Sequence, residues 1–230
     1  METGLQATKQ RMHLKKTLLL YMAGLMVVWT AFELLLAPAL HQGQTGGNSL
    51  AIALELLLWT IPAFCLMRLY NDQLYIPVRQ AFSFSHEALQ WTLFLGAIVA
   101  MANLLILAVR VQALEIDLHL EGATLLESVV LIGLTEELVF RGWVMNAYAK
   151  QVGPWRASFI AEGLLIAMHI PAWILEGMFS SYLIVFEVVK VFVLGIFYGI
   201  AFKKSHCIWT SMAVHMLFNF MQAALFQAGH

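Results

Sequence analysis

From Trp91 to Arg110 the chain runs through twenty residues that are apolar almost throughout, and stretches of similar length and character recur along it. About 20 apolar residues in helical rise cross the ~30 Å hydrocarbon layer of a bilayer. Lipid offers no hydrogen bonds to the backbone, so segments of this kind span as helices whose N–H and C=O groups pair internally. Of the 230 residues 61% are hydrophobic and only 12% charged, the latter about half the usual globular share. A soluble domain of this size has too little interior to hide so much apolar surface. The expected fold class is all-α: a polytopic integral membrane helix bundle of about seven transmembrane helices. A net charge of −1 leaves no basic stripe for phosphates, which argues against a nucleic-acid partner.

Residues 1–16 are polar and basic and read as a cytoplasmic N-terminal segment. Residues 17–119 hold three spans, at 17–40, 50–69 and 91–110, with a polar, aromatic interfacial segment at 70–90. The first run ends in Ala37-Pro38-Ala39, as a signal peptide would, but it is too long for a signal h-region of ~7–15 residues. Pro62 is expected to kink the second span. A glycine-rich loop at 41–49 and an acidic loop at 111–121, with Glu115, Asp117 and Glu121, separate spans. Residues 120–230 hold four more, at 122–148, 155–175, 178–202 and 205–226, the fifth span entered through the helix-start signal Gly153-Pro154.

The basic residues orient this arrangement. With the N-terminus inside, Lys9, Arg11, Lys15, Lys16, Arg68, Arg79, Lys150, Arg156, Lys203 and Lys204 fall on the cytoplasmic side and Arg110 on the other, while Arg141 and Lys190 lie within spans. Such asymmetry predicts N-in, C-out.

Against this apolar background a few polar groups stand out: Glu136, Glu137 and Arg141 in the fourth span, His169 in the fifth, His215 and Asn219 in the seventh. An ionisable group at mid-bilayer costs ~2.5–3.5 kcal/mol by insertion scales and marks function by default. Counted from the basic helix ends, Glu136, His169 and His215 lie at a common depth of roughly 15–20 Å, which predicts a shared site. Glu137 and Arg141 are four apart with the acid first, the favoured order for an ion pair. Glu136 projects about 100° away and is expected to face a cavity with a histidine as partner. His215 and Asn219, also four apart, share a face.

These side chains suit hydrolysis. A glutamate takes a proton from water, a histidine positions that water, and an imidazole with an amide stabilises an oxyanion. The same set admits zinc, although the helical HExxH pattern is absent. No serine or cysteine has an activating neighbour in the sequence, which argues against a covalent route. Cys65 and Cys207 read as packing residues. Glu33, Glu55 and Glu127 read as structural or interfacial. Glu162, seven residues before His169, shares its face, and Glu187 and Lys190, three apart, are expected to pair.

The run Glu136-Glu137-Leu138-Val139-Phe140-Arg141 resembles the EExxxR motif of the CAAX prenyl protease and bacteriocin-processing family, also written CPBP or Abi. His169 resembles the histidine of its second motif, FxxxH, and His215 with Asn219 its third, HxxxN. Leu165 stands where that second motif has phenylalanine. The resemblance covers roughly residues 120–226 and implies an intramembrane endopeptidase, with 120–230 as its catalytic helix core. It implies that Glu136 and His169 activate water, that His215 and Asn219 form the oxyanion site, and that Glu137 with Arg141 braces the helix. It supports a metal-free mechanism, the preferred reading. Zinc is the alternative, held among Glu136, His169 and His215.

The expected partners are a peptide or membrane-protein substrate and the lipid bilayer, in a bacterial or archaeal cell membrane with the cavity open to the cytoplasm. The rival readings are a non-proteolytic bacteriocin-immunity or regulatory membrane protein, and a proton-coupled transporter. The substrate's identity and the oligomeric state have no signature in the sequence.

Overall fold

The computed structural model describes residues 2–36, 52–110, 122 and 125–226. The glycine-rich loop at 41–49 and the acidic loop at 111–121 lie outside the described residues. Every long described element is a helix: α1 (Glu2–Ala31, continued by a wide π turn over Phe32–Leu36), α2 (Ile52–Leu69), α3 (Val78–Ala81), α4 (His86–Arg110), α5 (residues 125–152), α6 (Pro154–Leu175), α7 (Leu183–Ser205) and α8 (Ile208–Phe226). Among the described residues, five stretches are long and apolar enough to cross a membrane: Lys9–Leu36, Ile52–Leu69, His86–Val109, Pro154–Leu175 and Leu183–Ser205. The other two long helices, α5 and α8, are those that carry Glu136, Glu137 and Arg141, and His215 and Asn219. Polar side chains dilute the apolar character of these two helices.

The bundle is turned inside out relative to a soluble protein. Leu19, Val27, Leu93, Met101, Val185 and Val189 are each more than half exposed, whereas Thr135, Glu137, Arg141, Asn146, Ser158 and Glu162 are buried. An apolar exterior of this extent is suited to lipid contact. The main core gathers Leu14 and Leu18 of α1, Met67 of α2, Phe140, Trp143 and Val144 of α5, and Ala157 and Ala161 of α6. A second core joins Leu95 and Val99 of α4 to Tyr198 and Ala201 of α7 and Val214 of α8. Helices α5 and α8 approach closely at Gly133, where a β-carbon would press on the Met216 side chain and backbone.

Pro62 acts on the turn before it. It lacks an N–H, so the carbonyl four residues back is left without its helical donor. A wide π turn over Leu56–Thr60 precedes it. The Tyr21 hydroxyl donates to the exposed carbonyls there, at 3.0 Å to Trp59 and 3.5 Å to Leu58.

The segment expected at the interface is a pinned connection. Its helical parts are a 3₁₀ turn at Asn71–Gln73 and the single turn α3, and α4 already begins at His86. Leu74, Ile76 and Ala81 are buried. Asn146 of α5 holds the Ile76 backbone on both sides: the Ile76 N–H donates to Asn146 Oδ1 at 2.7 Å, and Asn146 Nδ2 donates to the Ile76 carbonyl at 2.8 Å. Asn146→Ala is expected to strip both bonds and leave a buried N–H unpaired, at ~1–3 kcal/mol. The check is the thermal midpoint in detergent, which should fall by several degrees.

One end of the bundle collects the basic residues. Lys203 lies over Trp155 at 4.3 Å, Lys204 over Trp91 at 5.7 Å and Arg68 over Phe64 at 5.8 Å. Lys150 donates to the Asp72 carbonyl at 2.6 Å, and Trp209 Nε1 to that of Phe82 at 3.2 Å. These contacts tie the end of α7 to the starts of α4 and α6, and the end of α5 and the start of α8 to the connection between α2 and α4.

Candidate active site

A cavity of about 350 Å³ lies among α5, α6, α7 and α8, and Glu136, His169, His215 and Asn219 all line it. Apolar contributions come from Ile132, Leu165, Val191, Leu194 and Phe218.

Glu136 ends the α-wound turns Ile132–Glu136, and π winding follows over Glu137–Met145. Its side chain is 15% exposed, and Oε1 lies 3.9 Å from His169 Nε2. That exceeds a direct hydrogen bond. His169 Nδ1 is 2.9 Å from the Leu165 carbonyl. A carbonyl only accepts, so Nδ1 carries the proton, and in the neutral ring Nε2 presents its lone pair toward Glu136. Leu165 thus serves the site twice, with its side chain in the cavity wall and its carbonyl fixing the imidazole. The ring of Trp173 lies 5.4 Å from that of His169 and supports its other side.

Glu137 points the other way and is fully buried. Its Oε1 is 3.1 Å from Arg141 Nη1 and 3.0 Å from His215 Nδ1. The expected pair with Arg141 is there, and the same oxygen also receives the imidazole of α8. Tyr198 of α7 stacks on His215 with ring centres 4.4 Å apart and planes at 17°. His215 is therefore gripped at one edge and one face. Asn219 Nδ2 donates to the Ser128 carbonyl at 3.1 Å, which ties this end of α8 to the start of α5. Below it, Gln222 donates to Asn103 of α4 at 2.7 Å.

Glu162 shares its helix with His169 but turns away from the cavity. It is fully buried, and its Oε1 lies 2.6 Å from Arg141 Nη2. Sequence reasoning missed this partner. The available signal was an unexplained carboxylate in an apolar helix one span beyond an unexplained arginine. Glu55 of α2 accepts from Thr135 at 2.5 Å. Glu187 and Lys190 pair at 2.5 Å and line the cavity. Cys65 and Cys207 are free thiols.

Among the described residues, no three His, Cys, Asp or Glu side chains converge in a metal-binding arrangement. Of the three ligands considered for zinc, Glu136 and His169 face each other, while His215 Nδ1 is engaged by Glu137.

Residues 120–221 match a protein family described as type II CAAX prenyl endopeptidase Rce1-like. The matched segment contains all three motifs. No curated protein and no solved structure matches the chain.

Proposed function

We propose that the chain, whose residues 120–221 match the Rce1-like family of type II CAAX prenyl endopeptidases, hydrolyses a peptide bond within the membrane with a water activated by Glu136 and His169. The observation that carries this reading is the convergence of Glu136, His169, His215 and Asn219 on one cavity. The 3.9 Å gap between Glu136 and His169 suits a water that donates one hydrogen to the carboxylate and the other to Nε2. Its oxygen lone pairs are then free to attack a carbonyl. Glu136 takes the proton as the carbon–oxygen bond forms and returns it to the leaving amine as the peptide bond breaks. His215, protonated at both nitrogens with Nδ1–H on Glu137, donates Nε2–H to the oxyanion, and Asn219 offers its second amide hydrogen. Leu165, Val191, Leu194 and Phe218 suit a substrate with apolar side chains beside the scissile bond.

In this reading all seven long helices span, α5 and α8 shielded by their neighbours. The end rich in Arg68, Lys150, Lys203 and Lys204 faces the cytoplasm, so the described end of α8 points outward, and the cavity lining runs from Gly195 and His215 toward the opposite helix ends at Ser128, Glu187 and Gln222. Alkaline phosphatase fused after residue 230 is expected to be active, and the same enzyme fused after Lys204 inactive. The reverse pattern would overturn the orientation.

The protein reconstituted in liposomes and offered a pool of membrane-anchored peptides should yield new termini by mass spectrometry, with no ion or proton flux. Flux without cleavage would favour the transporter reading. Neither activity across substrate classes would favour an immunity or regulatory protein.

A further inference from the structure

We propose that Glu162 is a positioning residue for the reaction, setting the orientation of His215 through Arg141 and Glu137. This rests on the peptidase reading, since it concerns the imidazole assigned to the oxyanion. The chain of contacts runs across three helices: Glu162 Oε1 to Arg141 Nη2 at 2.6 Å, Arg141 Nη1 to Glu137 Oε1 at 3.1 Å, and that same oxygen to His215 Nδ1 at 3.0 Å.

What locates the guanidinium decides who controls the chain. Arg141 Nη2 donates to Glu162 and, at 2.8 Å, to the Gly195 carbonyl of α7. Arg141 Nε and Nη1 have no hydrogen-bond partner among the described residues. Contact with Glu137 is thus an ion pair without a directed bond, and the directed bonds come from α6 and α7. The motif partner receives the charge of Arg141, while Glu162 and Gly195 fix its position.

Gly195 has a specific part in this. A β-carbon there would land on the Glu162 carboxylate and crowd the guanidinium, so only a residue without a side chain lets the three groups meet. Tyr198, one helical turn on, lies under Arg141 at 5.5 Å and against the His215 ring.

The electrostatics follow. Glu137 Oε1 is shared by the Arg141 guanidinium and the His215 ring. Glu162 draws the guanidinium toward α6 and leaves part of the Glu137 charge for the Nδ1–H of His215. With Glu162 neutral, Arg141 would settle on Glu137 and compete for that oxygen.

The test is Glu162→Gln, which keeps the size and removes the charge. The expected result is a kcat lowered on the order of tenfold with KM within about twofold, and a displaced His215 ring N–H resonance in ¹⁵N-histidine-labelled protein. In a Glu137→Gln background the same change should lower kcat no further, because its route is already cut. Gly195→Ala, which moves the carboxylate without removing it, should lower kcat in the same direction. Wild-type kcat and an unmoved His215 resonance in Glu162→Gln would overturn the proposal. So would losses that add fully to those of Glu137→Gln, or a kcat loss with an unmoved resonance that follows the lost folded fraction. If the wild-type protein cleaves no peptide, the peptidase reading has failed, and the His215 resonance still decides whether Glu162 governs that ring.

Discussion

Glu136→Gln is expected to abolish hydrolysis while the folded protein accumulates as the wild type does. The carboxamide has the shape of the carboxylate but cannot take a proton from water. General-base catalysis contributes typically ~10²–10⁴-fold, so kcat should fall by about three orders of magnitude. The fold should not notice. Glu136 borders a cavity, and its ion contact is with His169 across 3.9 Å, so no tight buried bond is broken. The change also removes one of three carboxylates near Arg141, which relieves like-charge repulsion. Single-turnover cleavage and the thermal midpoint, measured on one preparation, check this. Retained activity would remove Glu136 from the role of base, and a collapsed midpoint would make it structural. An inactive, folded variant is also the natural trap for identifying the substrate.

Arg141→Met is expected to give the opposite pattern, a loss of the folded protein itself. Arg141, Glu137 and Glu162 are all buried, and the guanidinium is the cation between the two carboxylates. Removing one partner of a buried ion pair costs ~3–5 kcal/mol, because the remaining charge is stranded. Here two are stranded, and they repel. The variant should accumulate poorly in membranes and lose its monodisperse peak in size-exclusion chromatography. Neutralising both acids with Glu137→Gln and Glu162→Gln in the Arg141→Met background should restore accumulation without restoring hydrolysis. That separates stranded charge from lost packing volume. Arg141→Lys should be intermediate, since a single ammonium lacks the fork that reaches Glu162, Gly195 and Glu137 together. Normal accumulation and an unchanged midpoint for Arg141→Met would contradict the network account.

The two predictions together express a division of labour between neighbouring residues. Glu136 and Glu137 are adjacent in sequence and differ by about 100° in direction. One borders the cavity and carries the chemistry in the proposed reaction. The other lies in the protein interior and holds Arg141 and His215.

Some of this was legible in the chain. The helical class follows from apolar length, a property each segment has by itself. The Glu137–Arg141 and Glu187–Lys190 pairs follow from spacings of four and three on one helix, and both are present. The start of α6 at Pro154 follows from a proline that needs no N–H donor there, after Gly153 at a φ of 86°. The segment at 70–90 was less legible. Its polarity points to the interface, whereas its place in the bundle is held by Asn146, a distant side chain that takes the role of a neighbouring strand for Ile76.

Glu162 shows where local reasoning stops. Seven residues before His169, it shares that helix face by count, yet it lies ~10 Å further along the axis, beside Arg141 rather than in the cavity. The contact of Glu137 with His215 is equally non-local, spanning 78 positions. Apolar length and helical spacing determined, from the sequence alone, the class of molecule and the pairs within each helix. Only the tertiary structure decided which carboxylate meets which imidazole and which acid secures the arginine. Those contacts depend on how far each helix is rotated about its axis, and close approaches such as those at Gly133 and Gly195 set that rotation between helices rather than within them.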